Sequence, residues 1–422
     1  MTPSGGMTLR VAVLSLMEAA GDVPGSLRGY LSIGGRSLLR HQLGFALSLG
    51  CKRIIVMSEG ISGELVALQH VAEAGGAQFH VVATARALVP LLPPDDDVFV
   101  LGDGLLAMPD AVRELLEAGP AVLTLPVETA LPLGFERIDI NNAFAAAMRF
   151  PGRIAAGLAD LPPEWNAQSA LLRLVVQARV PLRGVPAGML DDGRWNIVRN
   201  EEEALRAERS WLRLHTGIAV AGAASPGEML AVAAVRRFGP ALLHAGTRPA
   251  LVGLAAGVLG LLGGGLAWLG NFAAGFALLG LAWLAERIAS LLGQVERDSL
   301  LASGIERRGV ALFHLLVDAG IVALAGWRSD LANVPKVPWG GAMFAPLLLV
   351  LALRLVPLAL PRRKWAHQLE DRFVLGLALA AVSIVLPFDL AVAAGVILVV
   401  GACLLALQAE SRDPNPQLTS RQ

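Results

Sequence analysis

The run PALVGLAAGVLGLLGGGLAWLGNFAAGFALLGLAWLA, Pro249 to Ala285, contains no charged residue. A single membrane helix needs about 20 apolar residues, so this run is too long for one span and suits two joined by a tight turn. Gly270-Asn271 is the natural turn. Working outward from it, six spans are predicted, at 249–268, 271–290, 308–326, 341–360, 373–388 and 390–408, the third and fifth being short or interrupted. Basic residues set the orientation. Arg236-Arg237 precede the first span, Arg297, Arg307 and Arg308 lie between the second and third, and Arg362-Arg363-Lys364 follow the fourth. The opposite connections hold only Arg328 and Lys336, so both termini are expected on the cytoplasmic side of an inner (cytoplasmic) membrane. Segment 226–244 is too short and too charged to span and reads as an amphipathic helix in the interface, with a linker helix packed on protein as the alternative. Asp318 and Arg354 fall inside spans, where ionisable side chains are costly, so either a structural pair or a polar cavity is expected.

Upstream the composition changes. Until about residue 212 charged residues recur every few positions, and the whole chain of 422 residues balances 35 basic against 35 acidic side chains. No net field draws it to nucleic acid. Cys51 and Cys403 are the only cysteines and lack metal-ligand spacing, so buried thiols are expected. Met1 to Met7 is Gly/Ser-rich, without a basic region leading into an apolar core, so no cleaved signal peptide is expected. Short apolar runs at 9–16, 53–57, 79–82, 97–101 and 121–125 alternate with helical patterns such as 38–49 and 63–74. Such alternation predicts a doubly wound α/β domain with a mostly parallel sheet. The division expected is an α/β domain over 1–212, a linker and interfacial helix over 213–248, an all-α six-span membrane domain over 249–410, and a disordered tail over 411–422.

Particular segments add a resemblance. Tyr30 to Leu43 (YLSIGGRSLLRHQL) resembles the stretch after the phosphate loop of sugar-phosphate nucleotidyltransferases, and Val98 to Gly104 (VFVLGDG) is similar to that family's strand ending in a metal-binding Asp, here Asp103. Trp195 to Glu208 resembles its closing segment. Ala289 to Arg297 (ASLLGQVER) resembles the signature Asp-x-x-Asp-Gly-x-x-Ala-Arg of CDP-alcohol phosphotransferases, matched at Gly293 and Arg297. The order of the two halves is that of inositol-phosphate cytidylyltransferase/di-inositol-phosphate-phosphate synthase proteins. The resemblance implies a transferase with Mg²⁺ or Mn²⁺ if active, a nucleotide or CDP-alcohol as ligand beside membrane lipid, and a homodimer through the membrane domain.

The departures fall on the chemistry. Ala289 and Leu292 stand at the first two aspartate positions of the membrane signature, and Asp318 misses a later one by one residue. Two hard cations need several carboxylate oxygens, which this pattern lacks. In the other half, Leu14 to Gly21 (LSLMEAAG) has a glycine only at its end and adds Glu18, where close approach of backbone N–H groups to a triphosphate wants glycines. Arg28 takes the place of the loop's lysine, and Ile197 or Arg199 that of the second metal aspartate. Gly134 to Asn142 offers a polar rim of Glu136, Arg137, Asp139 and Asn141, with a solvated β-turn as the alternative. The candidate ligand-binding residues are Arg28, Asp103, Gly293, Arg297 and Asp318, with Asp103 and Asp318 the metal candidates and no catalytic residue assigned. Three functions follow: a catalytically impaired relative acting in binding or assembly, an active transferase with a site relocated among Asp103, Glu296, Arg297, Asp298 and Asp318, and a lipid or solute transporter.

Overall fold

A computed structural model describes residues 8–21, 25–160, 162, 165–220, 225–245, 249–298, 306–329, 339–361 and 363–412. The chain divides into two compact units, Met1–Leu214 with Val295–Ala302, and His215–Gln294 with Ser303–Gln422.

The first unit is built on one mixed sheet. Its main strands are β1 (Arg10–Ser15), β2 (Arg53–Met57), β3 (Gln78–Val82), β4 (Asp97–Leu101), β5 (Ala121–Pro126), β6 (Asn142–Pro151) and β7 (Leu182–Gly184), in the order β7-β5-β6-β4-β1-β2-β3, with the two-residue strand Glu136–Arg137 beside β6. The ladders joining β1 to β2, β1 to β4, β2 to β3 and β5 to β7 are parallel. Successive residues of a strand point to opposite faces, so β1 buries Ala12 and Leu14 on one side and Val11 and Val13 on the other. Helices α1 (Leu38–Ser48), α2 (Gly63–Ala74) and α3 (Pro109–Glu117) cover the first face through Leu43, Leu68 and Val112, and α4 (Ala167–Gln177) covers the second through Leu171 and Val175. Burial on both faces is why these strands are continuous apolar runs. Serines set two of the helix starts: Ser37 accepts from Arg40 N and Ser62 from Leu65 N.

One strand was not expected. The alanine-rich β6 runs antiparallel to both β4 and β5 in the middle of the sheet, with a register shift between Phe144 and Met148. Ala146 sits in that bulge at φ 60. Cys51 lies in the core, where burial pushes its thiol up to about 12, and Cys403 is half-buried; both are free. The unit closes with α5 (Glu201–Val220), whose first part, to Leu214, belongs here.

The second unit is helical: α6 (Pro226–His244), α7 (Pro249–Trp268), α8 (Phe272–Asp298), α9 (Glu306–Arg328), α10 (Trp339–Ala359), α11 (Arg372–Val385) and α12 (Phe388–Arg412). Five helices are long and apolar enough to cross a membrane, while α11 is a shorter apolar helix of 14 residues. Leu261, Leu358, Ile397 and other large apolar side chains of these helices face outward, as lipid contact requires. Their inner faces meet around Phe276, Trp283, Ile321, Leu353 and Phe388. At Gly376 of α11 a Cβ would stand 2.7 Å from the Phe276 carbonyl oxygen of α8, so the two helices cross backbone to backbone. Helix α6 starts at Ser225, whose hydroxyl accepts from Glu228 N. It buries Ala231, Val232 and Val235 against Leu291 and Leu292 and exposes Met229, Leu230 and Phe238. It is therefore packed on protein along one stripe and apolar along another.

Candidate functional site

Asp103 follows β4 and is buried. Its Oδ2 accepts the N–H of Met17 at 2.7 Å, the N–H of Glu18 at 2.8 Å and the Ser15 hydroxyl at 3.3 Å. The Asp103 N–H donates to the Gln168 side chain, and Gln42 donates to the carbonyls of Gly102 and Leu105. Gly104 is at φ +76, and a Cβ there would lie 2.5 Å from the Val198 carbonyl oxygen. The acid is thus held through its N–H and through Oδ2, which ties down the loop after β1. Burial raises its carboxyl to about 6, against the lowering effect of the Glu18 and Met17 N–H groups and of Arg28. Oδ1 is buried with no hydrogen-bond partner.

Arg28 belongs to the same loop but faces the protein: its Nε donates to the Ala19 carbonyl at 3.1 Å and its Nη2 lies 3.9 Å from Glu18. Arg199 is folded back on Glu203 at 2.6 Å, while its own carbonyl accepts the Gly21 N–H. In the rim segment, Glu136–Arg137 pairs with β6, and the Asp139 carboxylate accepts from the N–H groups of Asn141 and Asn142. The hydrogen bond from the Asn142 side chain, with those backbone bonds, lowers the Asp139 carboxyl. Asp139 makes the turn, while Glu136 and Arg137 line a cavity of about 500 Å³ with Trp165 and Arg173.

The second unit holds a polar cavity of about 420 Å³. Asp318 of α9 is one of its lining residues. Arg354 of α10 donates from Nε to Oδ2 at 2.5 Å, and Arg372 at the start of α11 donates from Nε to Oδ1 at 2.6 Å. Arg372 also donates from Nη1 to the Leu369 carbonyl. The expected Asp318–Arg354 pair is present, and so is the polar cavity. The sequence missed Arg372. It also missed Glu286 with His314, 2.8 Å apart, and Glu228 with Arg287, also 2.8 Å apart. Asp371 accepts from the N–H groups of Gly227, Phe373 and Val374, which makes it a helix cap. Gly293 is buried on α8, and the Arg297 side chain lies outside the described residues, as do those of Glu296 and Asp298.

The residues do not fit a divalent-metal centre. Among the described residues no group of three or more His, Cys, Asp or Glu side chains is placed to hold an ion. Asp103 and Asp318 lie in different units, and Oδ2 of Asp103 and both oxygens of Asp318 are committed to protein donors. No protein-family model matches the chain, and no curated protein matches it. Among solved structures the chain is similar to the UDP-glucose pyrophosphorylase from Acinetobacter baumanii, at 12% identity, covering 49% of this chain and 95% of that chain with a TM-score of 0.36. A likeness this distant carries no substrate, activity or residue role over to this chain. What stands is an N-terminal mixed α/β sheet domain joined to a C-terminal domain of long apolar helices.

Proposed function

We propose that this chain is a multi-pass membrane protein related to nucleotidyltransferases and CDP-alcohol phosphotransferases that acts by binding or assembly in polar-lipid or phosphodiester metabolism, its inherited two-metal chemistry impaired. One observation carries the reading: the acid in each half has become an internal counter-group. Asp103 holds the N–H groups of the very loop that would cradle a phosphate, and Asp318 holds two guanidinium groups. Both oxygens of Asp318 and one oxygen of Asp103 are already occupied by protein donors, whereas a hard cation needs several free carboxylate oxygens together. The ligands in view are membrane lipid and a nucleotide or CDP-alcohol, with a homodimer through the membrane helices as the assembly. Mg²⁺ or Mn²⁺ enters only if the alternative holds, an active transferase with a site relocated among Asp103, Glu296, Arg297, Asp298 and Asp318.

The test is turnover by the purified full-length protein. Supplied with CTP and a sugar or polyol phosphate, or with a CDP-alcohol and an acceptor, and with Mg²⁺ or Mn²⁺, it is expected to release neither diphosphate nor CMP above the protein-free rate. Metal-dependent release of either product would overturn the reading.

A further inference from the structure

We infer that the outward face of α6 is a docking surface for an anionic phospholipid leaflet, with Arg237 as its main lipid-binding side chain, whether or not either half of the chain retains catalysis.

The charged and titratable side chains of α6 are Glu228, Arg236, Arg237 and His244. Its one acid is turned inward, since Glu228 accepts from Arg287 of α8 at 2.8 Å. Arg236 is held at one flank, where its Nε donates to the Thr216 hydroxyl at 3.0 Å. Arg237 hydrogen-bonds no described residue, and its guanidinium lies 5.9 Å from the ring centre of the neighbouring Phe238. At about 3.6 residues per turn, Met229, Ala233, Arg237, Ala241 and His244 share one face. Ala231, Val235 and Gly239 lie on the opposite one, packed on Leu291 and Leu292 of α8. All five residues of the outward face are exposed, and Met229 and Phe238 are open by 61% and 60%. That surface is therefore apolar with a cationic middle, and it carries no acid.

Open apolar side chains on a helix packed against membrane spans fit the boundary between headgroups and acyl chains. Arg237 can lay its alkyl stem along the apolar stripe and keep its guanidinium level with the headgroups. A zwitterionic leaflet would accept the stripe yet bring no net charge to meet Arg237, whereas an anionic leaflet satisfies both. A second copy of the chain is a poorer occupant. A twofold contact sets a face against itself, and here it would oppose like charges. The segment before α11, to which α6 is tied by the Gly227 N–H donating to Asp371, exposes Glu370 but also Lys364, so it does not offset the charge of α6.

The test is local lipid composition at α6 in the full-length protein. Ala233→Cys is combined with Cys403→Ser, which leaves only the buried Cys51, and a fluorophore is attached at position 233. The protein is reconstituted in phosphatidylcholine vesicles containing nitroxide-bearing phosphatidylglycerol or, at the same mole fraction, nitroxide-bearing phosphatidylcholine. Both lipids are expected to quench, phosphatidylglycerol the more strongly. Arg237→Gln is expected to lower that preference by about twofold or more, and Arg237→Lys to keep it. Ala241→Glu places an acid on the same face with Arg237 intact and is expected to lower the preference as well. Both positions are exposed, so an unchanged unfolding midpoint in detergent is expected for these variants. No quenching by either lipid, which would mean that protein covers the face, equal quenching by the two, or a preference that survives both Arg237→Gln and Ala241→Glu would overturn the inference.

Discussion

The Asp103 carboxylate shows how a residue can suggest one task in the sequence and carry out another in the fold. An aspartate at the carboxyl end of a strand reads as a ligand for a metal. Here its Oδ2 satisfies the Met17 and Glu18 N–H groups, which lie 86 and 85 residues earlier. The Asp was legible in the sequence; its partners were not, because backbone donors carry no sequence signal. Its carboxyl is raised to about 6 by burial, so the folded state holds the proton more tightly than the unfolded chain does. Stability is then full below the unfolded value and falls as pH rises from about 4 through about 6, by on the order of 3 kcal/mol. Asp103→Asn is expected to flatten that slope in chemical unfolding measured from pH 4 to 8. A slope that persists unchanged in the variant would refute this account of the group. Asp103→Ala removes the acceptor altogether, and hydrogen exchange in segment 16–21 is expected to accelerate by the equivalent of about 1–3 kcal/mol. Gly104→Ala places a side chain at positive φ against the Val198 carbonyl, with an expected loss of about 2 kcal/mol or more in the same unfolding assay.

Between elements, the group of Asp318, Arg354 and Arg372 joins α9, α10 and the start of α11. Lone charges inside apolar spans stand out, which is why Asp318 and Arg354 were legible. Arg372 was not, since an arginine at the beginning of a short apolar helix reads as an interfacial charge. In the fold it is buried, because the segment before α11 turns it inward beside the Asp371 cap. Removing the acid strands two guanidinium groups. Asp318→Leu is expected to cost about 3–5 kcal/mol, seen as a lowered unfolding midpoint in detergent. Asp318→Leu combined with Arg372→Leu is expected to recover part of that loss, and a strictly additive double variant would contradict the ion-pair account. Strand β6 was hidden for a different reason. Its run of alanines lacks the β-branched residues that mark strands, and its place is set by neighbours on both sides, β4 and β5.

For the whole molecule, the change from regular charge spacing to charge-free runs was enough to separate an α/β half from a helical half. Two helices of the membrane half were also legible in their bounds, since the segments expected at 226–244 and 249–268 are α6 and α7, each opening on a proline. Orientation and assembly belong to what is proposed: with both termini cytoplasmic, a cysteine introduced at Arg363 is expected to label from the cytoplasmic side and one at Asn271 from the other. Labelling of both from one side would contradict that topology. The central claim, that Asp103 and Asp318 serve the protein itself and not a metal ion, has its most direct test in Mn²⁺ binding followed by electron paramagnetic resonance on the full-length protein. The expected result is no site tighter than the millimolar range. A tight Mn²⁺ site abolished by Asp103→Asn or by Asp318→Asn would contradict it.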